Sequence, residues 1–378
     1  MTLLFVPTES REGETRVAAS PETVARFVKA GLDVRVEPGA GARAGLTDAA
    51  FEEAGATLGE GWAEADLVVK VQPPTVDEVA RLGASAVLVS LVSPAFHLEE
   101  VEALRARGIT TLAMDLVPRI TRAQSMDALS SQATVGGYKA VLLGASHLPV
   151  LGPLLMTAAG TVPPAKVVVF GAGVAGLMAI ATARRLGCVV EATDVRMAAK
   201  EQVESLGGRF ITVPGMEDME TAGGYAKEQS QEFLQRQREE VAKRVAEADL
   251  VITTAQIPGR KAPVLVDRTM LASMQPGSVV VDMAVETGGN CEASQLGQVV
   301  VEEGVTVVGL ANLPASVPRH ASELYAKNVL NLLKPFVGEE GALALDFEDE
   351  VLAGCRLTAD GEVHHEPTRE ALAGGTQS

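Results

Sequence analysis

Residues 166–196 read KVVVFGAGVAGLMAIATARRLGCVVEATDVR, and this stretch decides the fold. Val167, Val168, Val169 and Phe170 form a short apolar run suited to a strand buried on both faces. Gly171, Gly173 and Gly176 follow as G-x-G-x-x-G. The first glycine permits a tight turn, the second lets backbone approach a pyrophosphate, and the third lets helix and strand pack closely. Leu177 to Leu186 continues as a helix whose N-terminal amides and dipole suit a phosphate. Val189, Val190 and Ala192 make a second strand with Asp194 at its end. A glycine turn alone says little. Strand before, helix after and a carboxylate about 20 residues on complete a dinucleotide-binding fingerprint. Asp194 can accept a hydrogen bond from a ribose 2′-hydroxyl and would repel a 2′-phosphate, which favours NAD(H) over NADP(H), with Arg196 close by as a counterweight.

The chain around this unit has 378 residues, enough for two domains of ordinary size. Apolar residues make up 47% and aromatics only 3%, so Val, Leu and Ala must do the packing. A net charge of −17 argues against nucleic acid or an anionic membrane as a direct partner. Cys188, Cys291 and Cys355 lie far apart with no C-x-x-C spacing, which suggests neither a disulfide framework nor a metal site and fits a reducing cytoplasm. The opening MTLLFVPTES lacks the basic and long apolar regions of a signal peptide. The uncharged run between Lys139 and Lys166 is long enough to span a bilayer. Pro149, Pro153, Pro163 and Pro164 break it, so the expectation is buried protein.

Before the fingerprint, strands are expected at Leu3–Pro7, Asp33–Glu37, Asp66–Val71, Ala86–Leu91 and Thr110–Met114, alternating with helical patterns. Ser20 is positioned to cap one helix at Pro21–Ala30. This rhythm predicts a parallel sheet here as well. From about Gln124 to Leu143 a helix rich in small polar residues is expected to bridge two domains, where a cofactor cleft forms. After Arg196 come a helix at Ala198–Leu206 and a strand at Arg209–Val213, then an aperiodic loop, Pro214–Glu228, read as a lid hinged at Gly223 and Gly224. A charged helix (Gln229–Glu247) and strands at Asp249–Ala255, Ser278–Met283 and Val305–Leu310 complete the second domain. A last helix runs from His320 to Val337, and the tail from Glu348 reads as irregular. The fold class is therefore α/β: two Rossmann-like, doubly wound parallel-sheet domains joined by long bridging helices, with a cofactor cleft between them. Their expected extents are 1–135 plus 312–378, and 136–311.

Seven segments carry a resemblance: ETRVAASPE at 14–22, KVQPP, RAQSMDALSSQ, GGYAKE, TTAQIPGRKAP, DMAVETGGN and GLANLPASVPRHAS. Together they cover nearly the whole chain, and it resembles the NAD(H)-binding subunit (domain I) of proton-translocating nicotinamide nucleotide transhydrogenase. RAQSMDALSSQ and the GGYA loop are the specific segments. The glycine fingerprint and VETGGN are shared with the related alanine dehydrogenases.

The resemblance implies that Arg119, Asp127 and Ser130 hold the nicotinamide ring and its carboxamide, and that Gln124 reaches toward the partner's nucleotide. Tyr225 and Ala226 match a mobile loop that closes over NAD(H). Gly171, Ala172, Gly173, Val174, Ala175 and Gly176 match the phosphate turn, and Asp194, with Val195 and Arg196, the adenosine ribose. Further cofactor contacts are implied at Thr254, Ala255, Gln256, Glu286 and Leu310. No metal is implied. The implied reaction is direct hydride transfer from NADH held here to NADP⁺ on a separate NADP(H)-binding subunit, coupled to proton translocation by a membrane proton-channel subunit. The chain would then be a homodimer in the cytoplasm, held at the inner face of the membrane by its partners.

Two alternatives stand beside this reading. One is an alanine dehydrogenase, because Arg16, Lys70 and Glu286 match that family's substrate arginine, lysine and acid. Ser93, in SLVSP, stands where those enzymes carry a histidine, so the proton acceptor that amino-acid oxidation requires is missing. The other is a non-enzymatic NAD(H)-binding module.

Overall fold

The computed structural model describes residues 2–212, 231–257 and 259–375. The chain forms two compact units, Met1–Gln132 with Pro314–Ser378, and Ala133–Leu313.

Unit 1 opens with strands β1 (Leu3–Val6), β2 (Asp33–Val36), β3 (Thr57–Leu58), β4 (Leu67–Val69), β5 (Val87–Ser90) and β6 (Thr110–Ala113). Helices α1 (Pro21–Lys29), α2 (Asp48–Glu53), α3 (Val76–Arg81) and α4 (Leu98–Ala106) lie between them. Ser20, Thr47 and Thr75 cap α1, α2 and α3 through their hydroxyls, so each helix starts where the backbone amides first need acceptors. All pairings among β1 to β6 are parallel. Strand order reverses between β1 and β4, which are neighbours in the sheet.

Unit 2 contains most of α5 (Ala128–His147), whose first five residues belong to unit 1. A β-hairpin follows, β7 (Leu155–Thr157) with β8 (Gly160–Val162). Then come β9 (Lys166–Phe170), α6 (Val174–Arg185), β10 (Val189–Thr193), α7 (Ala199–Ser205), β11 (Arg209–Phe210), α8 (Gln231–Ala246), β12 (Leu250–Thr253), α9 (Arg268–Ser273), β13 (Val279–Asp282), β14 (Gln298–Glu302) and β15 (Val305–Gly309). The sheet runs β11-β10-β9-β12-β13-β15-β14, with β14 alone antiparallel. Val169, Ile252 and Val281 pack on one face and Val168, Val251 and Val280 on the other, so aliphatic side chains fill the core as composition requires.

The chain then returns to unit 1 through α10 (Pro318–Leu333), α11 (Glu350–Cys355), β16 (Arg356–Ala359), β17 (Glu362–Val363) and α12 (Glu366–Gly375). This corrects the reading of an irregular tail. β16 lies antiparallel against β6, and Leu357, Thr358 and Ala359 are buried. Thr358 Oγ1 donates to Ile109 O at 2.8 Å, which satisfies a hydroxyl inside the sheet.

The uncharged run is buried only in part: Ala140, Val141 and Ala165 are buried, whereas the stretch after α5 is exposed. After α5 it becomes the β7–β8 hairpin, with Leu151, Leu154 and Met156 exposed by 53, 56 and 78%. Its prolines keep it out of the parallel sheet. Among the described residues no helix is long and apolar enough to cross a membrane.

Candidate functional site

In unit 2 the strand order reverses between β9 and β12, so their carboxyl ends diverge into the crevice where open α/β sheets take ligands. The three glycines do three different things there. Gly171 has φ +93°, and a Cβ on it would lie 2.5 Å from Thr254 Oγ1. A Cβ on Gly176 would lie 1.8 Å from the Gly171 carbonyl oxygen, so α6 packs directly on the turn. Around Gly173 nothing lies within 4 Å of an added Cβ. The Gly173 position is open, and the other two positions are closed by the protein.

Two loops hold this turn. Thr254 Oγ1 donates to Phe170 O at 3.0 Å. Asp194 Oδ2 accepts from the Ala172 amide at 2.7 Å, while Arg196 donates to Oδ1 from its amide and from Nε, both at 2.9 Å. Burial works to raise the Asp194 carboxyl, but the hydrogen bonds from Arg196 and Ala172 outweigh it and hold it below the usual carboxylate range. Asp194 is therefore ionised at neutral pH. Val195 next to it is 72% exposed.

The remaining loop positions follow β12, β13 and β15. Asn290 Oδ1 accepts from the Ala255 amide and Nδ2 donates to the Ala255 carbonyl, at 3.0 and 2.9 Å, which fixes the chain between Thr254 and Gln256. Gln256 Nε2 donates to Met283 O at 3.1 Å. Glu286 Oε2 accepts from the Asn312 amide at 3.1 Å, and Leu310 packs against the core beneath. Asn290 and the buried Asp282 were not assigned roles from sequence. The signal was present, because Asp282 interrupts an apolar strand, SVVVDMA, where a charge needs partners.

In unit 1, Asp127 and Ser130 are brought together at the start of α5. Ser130 donates to Asp127 from its amide at 2.8 Å and from Oγ at 2.6 Å, so Asp127 also caps the helix. The expected helix start near Gln124 is instead a 3₁₀ turn, Thr121–Met126. Arg119 and Gln124 are exposed. The turn is pinned twice: Asn328 and Asn331 donate to Ser125 O at 2.9 and 3.1 Å, and Arg122 pairs bidentately with Asp349 at 2.7 and 2.8 Å. Tyr225 and Ala226, with the 214–228 lid, lie outside the described residues.

The two unit 1 cations singled out in sequence are already neutralised. Arg16, 3% exposed, donates to Glu14 through Nε and Nη2 at 2.8 and 2.6 Å and to Gln132 Oε1 at 2.7 Å. Lys70, fully buried, sits 3.2 Å from Glu9 and 3.1 Å from Glu78. Burial works to raise the Glu14 carboxyl, but Arg16 overrides this and sets it at about 2. Its folded value is depressed, so the stability it adds is complete above its ordinary 4.5 and is lost as pH falls toward about 2. Urea unfolding of Glu14→Gln should accordingly fall short of the parent by on the order of 3 kcal/mol at neutral pH, with the gap closing in acid. A gap that does not change with pH would refute the assignment.

The chain matches the family models "Alanine dehydrogenase/PNT, N-terminal domain" over residues 5–136 and "Alanine dehydrogenase/PNT, C-terminal domain" over 140–366. It is 52% identical over 374 residues to the first part of the NAD(P) transhydrogenase alpha subunit of Rhodospirillum rubrum, covering 96% of this chain and 97% of that one. The alanine dehydrogenase of Mycobacterium tuberculosis is 33% identical over 347 residues, 88% of this chain and 86% of its own. A transhydrogenase structure from Sinorhizobium meliloti superposes with a TM-score of 0.88 at 48% identity, covering 96% of this chain and 99% of that one. The chain belongs to the alanine dehydrogenase/PNT family, and of the two kinds of relative it is more similar to the transhydrogenase subunits.

Proposed function

We propose that this chain is the NAD(H)-binding component of a proton-translocating transhydrogenase. It binds NAD(H) at the carboxyl edge of the unit 2 sheet and exchanges hydride directly with NADP(H) held on a separate subunit. The observation that supports NAD(H) binding is the glycine turn tied to an ionised Asp194, open at Gly173 and closed at Gly171 and Gly176, and the 52% identity to a transhydrogenase alpha subunit supports the choice of reaction. Bound NAD(H) would supply or receive hydride at the nicotinamide C4. The chain's own residues bind and position. Gly171 to Gly176 take the pyrophosphate, Asp194, Val195 and Arg196 face the adenosine ribose, and Thr254, Ala255, Gln256, Glu286 and Leu310 line the crevice. Arg119, Asp127 and Ser130 hold the carboxamide, and Gln124 faces the partner. Hydride exchange between two nicotinamides needs no proton donor or acceptor, so positioning and exclusion of water are the catalytic contribution.

The neutralised Arg16 and Lys70 favour this reading over alanine dehydrogenase, because a substrate carboxylate would have to displace Glu14 or Glu9 from buried ion pairs. A membrane proton-channel subunit would couple the reaction to proton movement and hold this chain at the inner face of the membrane. The exposed apolar residues of the hairpin and of the segment leading into it, Val150, Leu151, Leu154 and Met156, suit burial in a homodimer.

The test is reduction of an NADP⁺ analogue by NADH, with and without the NADP(H)-binding component. Activity only in the mixture supports the proposal. Turnover of L-alanine with NAD⁺ by the chain alone would replace it. At the binding step, Asp194→Ala should weaken NADH about tenfold or more, as expected for losing charge-assisted hydrogen bonds. Unchanged affinity in a fluorescence titration would remove Asp194 from the ribose site.

A further inference from the structure

Arg196 is the group in the nucleotide site whose chemistry points away from NAD(H). Its Nε and Nη2 donate to Asp194 Oδ1 and Oδ2 at 2.9 and 3.1 Å, and its amide donates to Oδ1 at 2.9 Å. The Ala172 amide donates to Oδ2 at 2.7 Å. Four donors thus converge on one carboxylate, about its full capacity. A ribose hydroxyl bound by Asp194 must displace one of them. The Ala172 amide is fixed by the glycine turn and the Arg196 amide by the end of β10. The guanidinium rides on a flexible stem and its side chain is 61% exposed, so it is the donor that gives way.

A guanidinium bonded to the carboxylate that receives the 2′-hydroxyl also lies within reach of a 2′-phosphate. Arginine beside this position is what accommodates NADP(H) in dinucleotide folds, and its fork matches phosphate geometry. We infer that Arg196 is a masked 2′-phosphate ligand: Asp194 selects NAD(H) by repelling the phosphate and also by holding in an ion pair the cation that would bind it. The inference rests on the nucleotide-site reading of unit 2 and concerns how that site chooses between cofactors.

The experiment titrates the chain alone with NADH and NADPH by fluorescence, using the parent, Asp194→Ser and Asp194→Ser/Arg196→Ala. The parent is expected to prefer NADH. Asp194→Ser should shift the affinity ratio toward NADPH by roughly 100-fold, combining lost ribose bonds with a freed bidentate phosphate contact. Removing Arg196 from that variant should cost about tenfold or more in NADPH affinity, and more than it costs in NADH affinity. If Asp194→Ser does not fold by circular dichroism, Asp194→Asn keeps an acceptor for the Ala172 amide while removing the charge, and it is read the same way. An unshifted ratio, or equal NADPH affinity with and without Arg196, overturns the inference while the NADH site stands. A parent that binds no NADH overturns the nucleotide-site reading, and the inference falls with it.

Discussion

Gly176→Ala is expected to abolish measurable NADH binding and to lower the stability of the fold, whereas Gly173→Ala should impair binding alone. At Gly176 the new methyl would meet the Gly171 carbonyl oxygen at 1.8 Å and its carbon at 2.8 Å. Both are backbone atoms, so no side chain can swing aside. Either α6 retreats from the turn or the turn opens, and overpacking of this kind costs about 1–3 kcal/mol or more. The retreat also pulls Ala172 from Asp194 and moves the amides that take the pyrophosphate, so affinity should fall by roughly 100-fold or beyond. Gly173 has φ −78° and open space around the added Cβ, so alanine is accommodated there without strain. Its methyl instead occupies the path by which the pyrophosphate approaches. Urea unfolding and NADH titration on the two variants separate the roles. Equal loss of stability in both, or normal NADH binding by Gly176→Ala, would contradict this account of the turn.

Asp282→Ala should be the most destabilising single substitution in unit 2. The carboxylate ends β13 at 1% exposure and receives five donors. Thr253 Oγ1 and the Ala284 amide reach Oδ1 at 3.2 and 2.9 Å. The amides of Asn290 and Cys291 and the hydroxyl of Ser294 reach Oδ2 at 2.8, 2.9 and 2.6 Å. Removing it orphans three amides and two hydroxyls around a buried position. Each unsatisfied buried group costs about 1–3 kcal/mol, so a loss of about 4–6 kcal/mol is expected even if water enters. That is a large fraction of a domain's total stability, roughly 5–15 kcal/mol. The same change loosens Asn290 and with it the loop at Ala255, so any folded remainder should bind NADH more weakly. A change below about 1 kcal/mol in urea unfolding would show that the hub is dispensable.

What could be read beforehand depended on whether the information was local. The strand, the three glycines and Asp194 lie within one βαβ unit, and spacing alone dictated their arrangement. Ser20 as a cap was legible for the same reason. Asp127 was legible in principle, since an Asp just before a helical run is a capping residue whose carboxylate takes the amide three residues on. RLTA and EV are too short to show a period: pairing with the distant β6 makes β16 a strand, and pairing with β16 makes β17 one. β14, QVVVE, has apolar residues but lies at the sheet edge, with Val301 71% exposed. Glu14 lies two residues from Arg16, but nothing in the spacing shows that the two side chains pair away from solvent. The pairing of Lys70 with Glu9 comes from the fold alone, which brings that carboxylate onto a cation the family resemblance offers to a substrate.

The most direct test of the central claim is isotopic. NADH carrying deuterium at the transferred C4 position is mixed with this chain, its NADP(H)-binding partner and NADP⁺, and the NADPH formed is analysed by mass spectrometry. Direct transfer predicts NADPH carrying the deuterium at C4, with none appearing in water and no product when either protein is omitted. NADPH without the label, or deuterated alanine formed by this chain alone from pyruvate and ammonia, would contradict it.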